Sequence, residues 1–357
     1  MRICIAGRAE DCFQEPWVNE TGGIGLSGKY LPFHPAPMAE ELFSSWLYRV
    51  AKGNHPKLHT FCHLNWPKRQ IWTRDIDQCA DKDLVRDLAE LTGTLPSDAQ
   101  KTLLSSFQGS LFEKHQPNGR TLGILPLGVF HRLRKRYGQQ YCPRCLANDR
   151  VPYFRKSWRL THVTSCLEHG IRLVDRCDDC GAPIIFFRGD MLVCHNCGFD
   201  LRCASRFIAG TQVKWFEARN RLALQRGYTW LGSNKIEVSI AYFDIIRQLL
   251  RILSFGARSQ GLRETVAKRF GGDPSPIKED EKTTARKFEH LSTHSRYRIT
   301  ELLSPLVQHW PEAFIDTCQA SRNFSSQLLK DMPFVRYHLW MIAKNELSGS
   351  PVHPDRR

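Results

Sequence analysis

Tyr141-Cys-Pro-Arg-Cys145, Cys166-Leu-Glu-His169-Gly170, Cys177-Asp-Asp-Cys180-Gly181 and Cys194-His-Asn-Cys197-Gly198 stand in line through the middle of the chain. Each segment holds a pair of potential ligands with two residues between them, so one tight turn can aim both side chains at one ion and supply half a tetrahedron. Twenty residues separate the first two pairs and thirteen the last two, a spacing that reads as zinc. Pairing in chain order gives two four-ligand sets, Cys142, Cys145, Cys166 and His169, then Cys177, Cys180, Cys194 and Cys197. A cross-braced pairing uses the same eight residues and is the alternative. A disulfide framework is the other reading, disfavoured by the lack of an apolar signal segment and by the histidine that completes the first set. Gly181 and Gly198 follow their pairs directly, as a turn needing positive φ requires. Cys142-Pro-Arg-Cys145-Leu lacks such a glycine, which predicts a less regular knuckle there.

Four protein ligands per ion leave no open position to activate water, so both zinc ions are expected to be structural. The chain is expected not to be an enzyme. Histidine-x-glutamate, HExxH and GxSxG are absent. Gly23 to Lys29 matches the phosphate-loop outline, but Tyr30 follows where a hydroxyl for Mg²⁺ is needed. Asp75, Asp77, Asp81 and Asp83 read as the charge complement of helix N-termini rather than as a nuclease centre.

The 357 residues carry a formal charge of +15, and seven metal-bound thiolates with two divalent ions would lower it only to +12. An anionic polymer is the natural partner. The surplus is uneven: residues 1–119 sum to −1, residues 120–176 to +9, residues 177–203 to −2 and residues 204–357 to +9. Arg132, Arg134, Lys135, Arg136, Arg155, Lys156 and Arg159, with a contribution from the C-terminal region, are therefore the candidate nucleic-acid contacts, interleaved with Tyr137, Tyr153 and Trp158; the alternative role for Arg159 is a structural partner of the first metal site. The near-neutral N-terminal part suits a protein partner, with Pro32, Phe33, Trp46 and Arg49 as candidate contacts; Trp46, four residues after Leu42 on a helix, reads more readily as core, and Phe33 in the extended proline-rich arm is the better anchor. No run of 18 apolar residues suggests a membrane span, and the chain is expected to be soluble and cytoplasmic.

The expected fold is mostly α with small β zinc-ribbon-like elements. Residues 1–30 read as an arm and 31–119 as a helical, helix-turn-helix-like region. Residues 120–203 form the basic segment and tandem zinc modules, 204–270 a helical region, 271–287 a linker, and 288–357 a helical end with a second helix-turn-helix outline. Within these, helices are expected at Ala39 to Ala51, from Asp81 to Leu91 with Gly93 as the stop, from Ser97 through Phe107, and from Ile240 to Phe255. Further helices are expected at Ile299 to Trp310, Pro311 to Ala320 and Pro333 to Leu347. Ile184 to Phe187 and Met191 to Val193, around Arg188-Gly189-Asp190, predict a short β-hairpin.

Glu41-Leu-Phe-Ser-Ser-Trp46-Leu-Tyr-Arg49, Tyr141-Cys-Pro-Arg-Cys-Leu146, Tyr153-Phe-Arg-Lys-Ser-Trp158-Arg-Leu160 and Cys166-Leu-Glu-His-Gly170, followed by the two Cys-x-x-Cys-Gly pairs, together resemble the TniQ/TnsD family of transposon target-selection proteins. The resemblance spans about residues 31–203. It implies an N-terminal helix-turn-helix region, tandem zinc modules and a role without catalysis. Such proteins mark a target, either by reading DNA or by riding on a CRISPR RNA-guided effector, and recruit an AAA+ ATPase regulator that licenses the transposase. A homodimer is compatible with it. The alternative function is a stand-alone zinc and helix-turn-helix transcription regulator.

Overall fold

In the computed structural model, the described residues are 30–117, 121–130, 133–134, 136–233, 235–277, 287–330, 332 and 334–348. Among the described residues helices dominate, and three short antiparallel two-stranded ribbons interrupt them: Val129–Phe130 with Leu133–Arg134, Ser165–Cys166 with Ile171–Arg172, and Tyr228–Leu231 with Lys235–Val238. This is the mostly α architecture with small β elements that the sequence predicts.

The helix Phe43–Asn54 lies at the centre of the N-terminal half, and every residue from Phe43 to Ala51 is buried. It starts four residues later than expected because the chain ahead of it is already committed. Leu42 N–H donates to the Phe154 carbonyl at 2.9 Å, and Lys156 N–H donates to the Glu40 carbonyl at 2.7 Å. Glu40 takes φ of 60° to make that turn. The buried cation of the helix, Arg49, meets buried Glu41 through both carboxylate oxygens at 2.8 and 2.6 Å. Ser45 Oγ also donates to Glu41, so the buried pair is fully hydrogen-bonded.

Helix Lys82–Thr92 is capped as its sequence dictates. Asp81 accepts from Leu84 N–H at 2.7 Å, and Gly93 closes the C-terminus in the left-handed region at φ 65°. The next helix, Pro96–Lys101, is only six residues long and breaks at Thr102, so the expected run to Phe107 becomes two short pieces. At the other end of the chain, the second helix expected after Ser321-Arg322-Asn323 is the single turn Ser325–Leu328.

Helix Thr293–Gln308 packs against Thr211–Arg226, Ser239–Ser254 and Ser259–Phe270. The segments on either side of the expected linker therefore share one core. Residues 278–286 of that linker lie outside the described residues. Buried Arg296 extends this core toward the centre of the chain, donating to the Thr161 carbonyl at 2.9 Å and to Gln140 Oε1 at 3.0 Å.

The largest departure from expectation lies between Ile184 and Val193, where no hairpin forms. Phe186–Arg188 is a 3-10 turn, and Ile184, Ile185, Phe186, Phe187 and Met191 are all buried. Phe187 stacks on Trp72 with centroids 4.4 Å apart, and Phe186 on Phe154 at 4.2 Å. Tyr48 hydroxyl donates to the Gly189 carbonyl at 2.8 Å and accepts from Met191 N–H at 3.1 Å. Tertiary stacking wins over the expected hairpin because aromatic rings gain more buried area in a core than on a free ribbon.

Candidate metal centres

Cys142, Cys145, Cys166 and His169 form one cluster and Cys177, Cys180, Cys194 and Cys197 the other, with the ligand atoms of each lying within 4.8 Å of one another. The chain-order grouping is therefore the one the fold brings together. In the first cluster His169 Nδ1 lies 3.6 Å from Cys142 Sγ, 3.3 Å from Cys145 Sγ and 3.6 Å from Cys166 Sγ, and Cys145 Sγ lies 3.6 Å from Cys166 Sγ. In the second, Cys177 and Cys197 sulfurs are 3.6 Å apart and Cys180 and Cys194 sulfurs 3.7 Å. Ligands about 2.3 Å (sulfur) and about 2.0 Å (nitrogen) from a tetrahedral zinc stand roughly 3.8 Å apart for two sulfurs and roughly 3.6 Å for sulfur and nitrogen. Both clusters have these edges, and both could hold a metal ion.

Three of the four knuckles are built as the glycines predict. Gly170, Gly181 and Gly198 have φ of 61°, 70° and 77°, and each donates its N–H back to the carbonyl of the first ligand of its pair, Cys166, Cys177 and Cys194. Backbone N–H groups of Cys180 and Asp179 point at the Cys177 sulfur. The fourth knuckle differs, as its missing glycine implies. Pro143 sits at the first position of the helix Pro143–Asn148, and Cys142 Sγ acts as its N-cap, accepting from Cys145 N–H at 3.4 Å.

The surroundings suit thiolates holding a cation. In the first cluster, hydrogen bonds from Cys142 and Cys145 hold the Cys166 thiol far below its ordinary value, while Cys142 and Cys166 push Cys145 up. Three sulfurs so close cannot all ionise unless a positive ion lies among them. His169 turns its second nitrogen to Asn148 at 3.3 Å. The atom that faces it is Asn148 Nδ2; with Nδ1 on a metal, Nε2 would carry the proton and the amide would turn its oxygen to accept it. Beside the second cluster, the Tyr141 hydroxyl is buried without a partner. Burial first, then the negative charge of Asp178, Cys177 and Cys194, keep it protonated. Cys203, adjacent in sequence, is exposed and belongs to neither cluster.

The basic residues ahead of and within the first cluster behave differently from expectation. Arg159 is fully buried and reaches Asp75 at 2.6 Å and Asp77 at 3.2 Å, with a further donation to the Leu125 carbonyl at 2.9 Å. Asp77 in turn accepts from Ser44 N–H and Oγ at 2.8 and 2.9 Å. Burial pushes the Asp77 carboxyl up to about 6 even though Arg159 pulls it down. Arg159 is thus a joint between three segments and not a phosphate contact. Lys156 is also buried, donating to Ser106 Oγ at 2.9 Å over the Phe107 ring. Arg155 is fixed by both oxygens of Asp149 at 2.9 and 3.0 Å, between the Tyr153 and Trp158 rings. Arg132 and Lys135 lie outside the described residues, as does the side chain of Arg134, and Arg136 is half-buried.

Two of the candidate partner contacts are internal as well. Trp46 is fully buried, its indole N–H donating to the Pro35 carbonyl at 2.8 Å, and Arg49 is spent on Glu41 and the Ala36 carbonyl. Phe33 is half-buried, with its ring over Gly53 and its backbone paired to the Asn54 side chain. Pro32 is exposed.

Sequence reasoning missed the ribbon Tyr228–Leu231 with Lys235–Val238. Its signal was present: Tyr228-Thr-Trp-Leu and Lys235-Ile-Glu-Val alternate around the turn-forming Gly232-Ser-Asn.

Residues 32–173 match the family model described as TniQ. That span holds the whole first ligand set and stops short of the second. No curated protein matches the chain. Among the described residues no helix is long and apolar enough to cross a membrane.

Proposed function

We propose that this member of the TniQ family is a non-catalytic target-selection adaptor for DNA transposition, holding two structural zinc ions and working in the cytoplasm. It binds target DNA or a CRISPR RNA-guided effector and recruits an AAA+ ATPase regulator and, through it, the transposase. The observation that carries the reading is the TniQ match across the segment containing Cys142, Cys145, Cys166 and His169. Two further features support it. Each cluster offers a metal four protein donors, which favours folding over catalysis. The acids Asp75 and Asp77, which a nuclease would leave open to a divalent cation, are tied to Arg159.

With Trp46 and Arg49 inside the core, the ATPase contact falls on the outer side of the proline-rich arm, at exposed Pro32 with Phe33 behind it. The test is a transposition assay with the neighbouring ATPase and transposase genes supplied. Removing this chain is expected to abolish insertion at the chosen site, and Pro32→Glu to weaken co-elution of the ATPase with zinc content unchanged. Insertion that proceeds at the same site and frequency without the chain sinks the adaptor reading. A change in transcription alone would make the chain a regulator.

A further inference from the structure

The ribbon Tyr228–Leu231 with Lys235–Val238 presents a face that nothing in the described structure covers. Tyr228 lies opposite Val238 and Trp230 opposite Ile236, so the four share one side, and they are 48%, 63%, 45% and 55% exposed. The other side is seated: Thr229 and Leu231 are buried, and the ribbon packs on helices Thr211–Arg226 and Ser239–Ser254. Arg219 holds the strand edge by donating to the Trp230 and Gly232 carbonyls, with its guanidinium over the Trp215 ring. Gly232 fits only because it lacks a side chain, since a Cβ there would lie 2.2 Å from the Trp310 carbonyl oxygen. The exposed face is therefore held rigidly in place.

Charge decides what can cover it. One helical stripe carries Trp215, Arg219 and Arg226 alongside the ribbon. Arg226 and Lys235, the latter beside the turn, have no ionic or hydrogen-bonding partner among the described residues, and both are exposed. Lys235 and Glu237 alternate with Ile236 and Val238, so both start from the inner side: Glu237, the one acid of the ribbon, is held there by His338, whereas Lys235, at the ribbon's end opposite Leu231, is exposed to solvent. An apolar strip between uncompensated cations matches a duplex, whose phosphates run along both rims of a groove and whose thymine methyl groups line its floor. A two-stranded ribbon is also the width that the major groove admits.

We propose that this ribbon is a duplex-DNA contact, with Tyr228, Trp230, Ile236 and Val238 toward the groove and Arg226 and Lys235 on phosphate. The inference rests on the targeting role proposed above and moves its DNA surface away from Arg155, Lys156 and Arg159. The test is fluorescence anisotropy of the full chain with a labelled duplex over a salt series, with zinc content and circular dichroism as fold controls. Arg226→Ala with Lys235→Ala removes two phosphate contacts, so the slope of log K against log salt should fall by about 1.8 and affinity at 0.1 M salt by roughly 60-fold. Trp230→Ala removes apolar area that the groove would cover and should weaken binding about tenfold at every salt concentration with the slope unchanged. A double variant with wild-type affinity and slope overturns the ribbon contact while leaving the adaptor role intact. A wild-type chain that binds no duplex even at low salt overturns both the contact and DNA reading. A double variant that keeps DNA but loses the ATPase shows that the face docks protein instead.

Discussion

Replacing Cys194 with serine is expected to release the Ile184–Met191 loop from the N-terminal core, far from the mutated sulfur in its effect. Cys180 and Cys194 bracket this loop, and their sulfurs stand 3.7 Å apart. Ile184, Ile185, Phe186, Phe187 and Met191 are each at least nine-tenths buried. Burying five such side chains is worth about 10 kcal/mol at roughly 2 kcal/mol each. Fixing the eight residues that carry them costs about 12 kcal/mol at roughly 1.5 kcal/mol per residue. The two terms nearly cancel, so the loop stays down only while a metal pins both of its ends. Structural zinc in small modules contributes about 10–16 kcal/mol, enough to tip that balance several times over.

Three measurements follow. Native mass spectrometry should show one zinc per chain in Cys194→Ser and two in the wild type. Hydrogen exchange over residues 184–193 should rise by orders of magnitude, while residues 142–169 keep their protection. Trp72, stacked on Phe187 at 4.4 Å, should change its fluorescence as its partner leaves. A variant with one zinc and an unchanged exchange rate over the loop would refute the reasoning, because the aromatic stacks would then hold without the metal.

Other outcomes follow from single contacts. Arg159→Met strands Asp75 and Asp77 in the interior and should cost about 3–5 kcal/mol in urea unfolding while leaving DNA affinity per folded molecule unchanged. Glu217 is buried under four donors from Thr164 and Ser165, and burial pushes its carboxyl from 4.5 up to about 7. The folded state therefore binds more protons than the unfolded state between those values, so stability should fall as pH rises from about 4.5 to 7, by about 3 kcal/mol from this group, and then level off. Glu217→Gln should flatten that slope in a thermal-shift series. Gly232→Ala forces a side chain against the Trp310 carbonyl at φ 69° and should lower the melting temperature by several degrees, as calorimetry would record.

What the sequence could show follows the distance over which each feature is decided. The ligand pairs were legible because two residues and one turn settle each knuckle locally, and the missing glycine after Cys145 marked the one that is a helix start. Asp81 and Gly93 were legible for the same reason. The basic stretch was not. A cation facing phosphate and a cation facing carboxylates look alike along the chain, and the partners of Arg159 stand more than eighty residues away at Asp75 and Asp77. The two apolar runs between Ile184 and Val193 misled because their rings found Trp72 and Phe154, contacts that no local pattern records. Both corrections have one cause. The first cluster, the loop of the second and the N-terminal helix share a single core, so side chains that read as surface from composition are used to fasten the metal modules to the helices. What that core leaves uncovered lies further along, where Trp230 and Ile236 share one face of a ribbon with exposed Arg226 of the flanking helix near one end and Lys235 at the other.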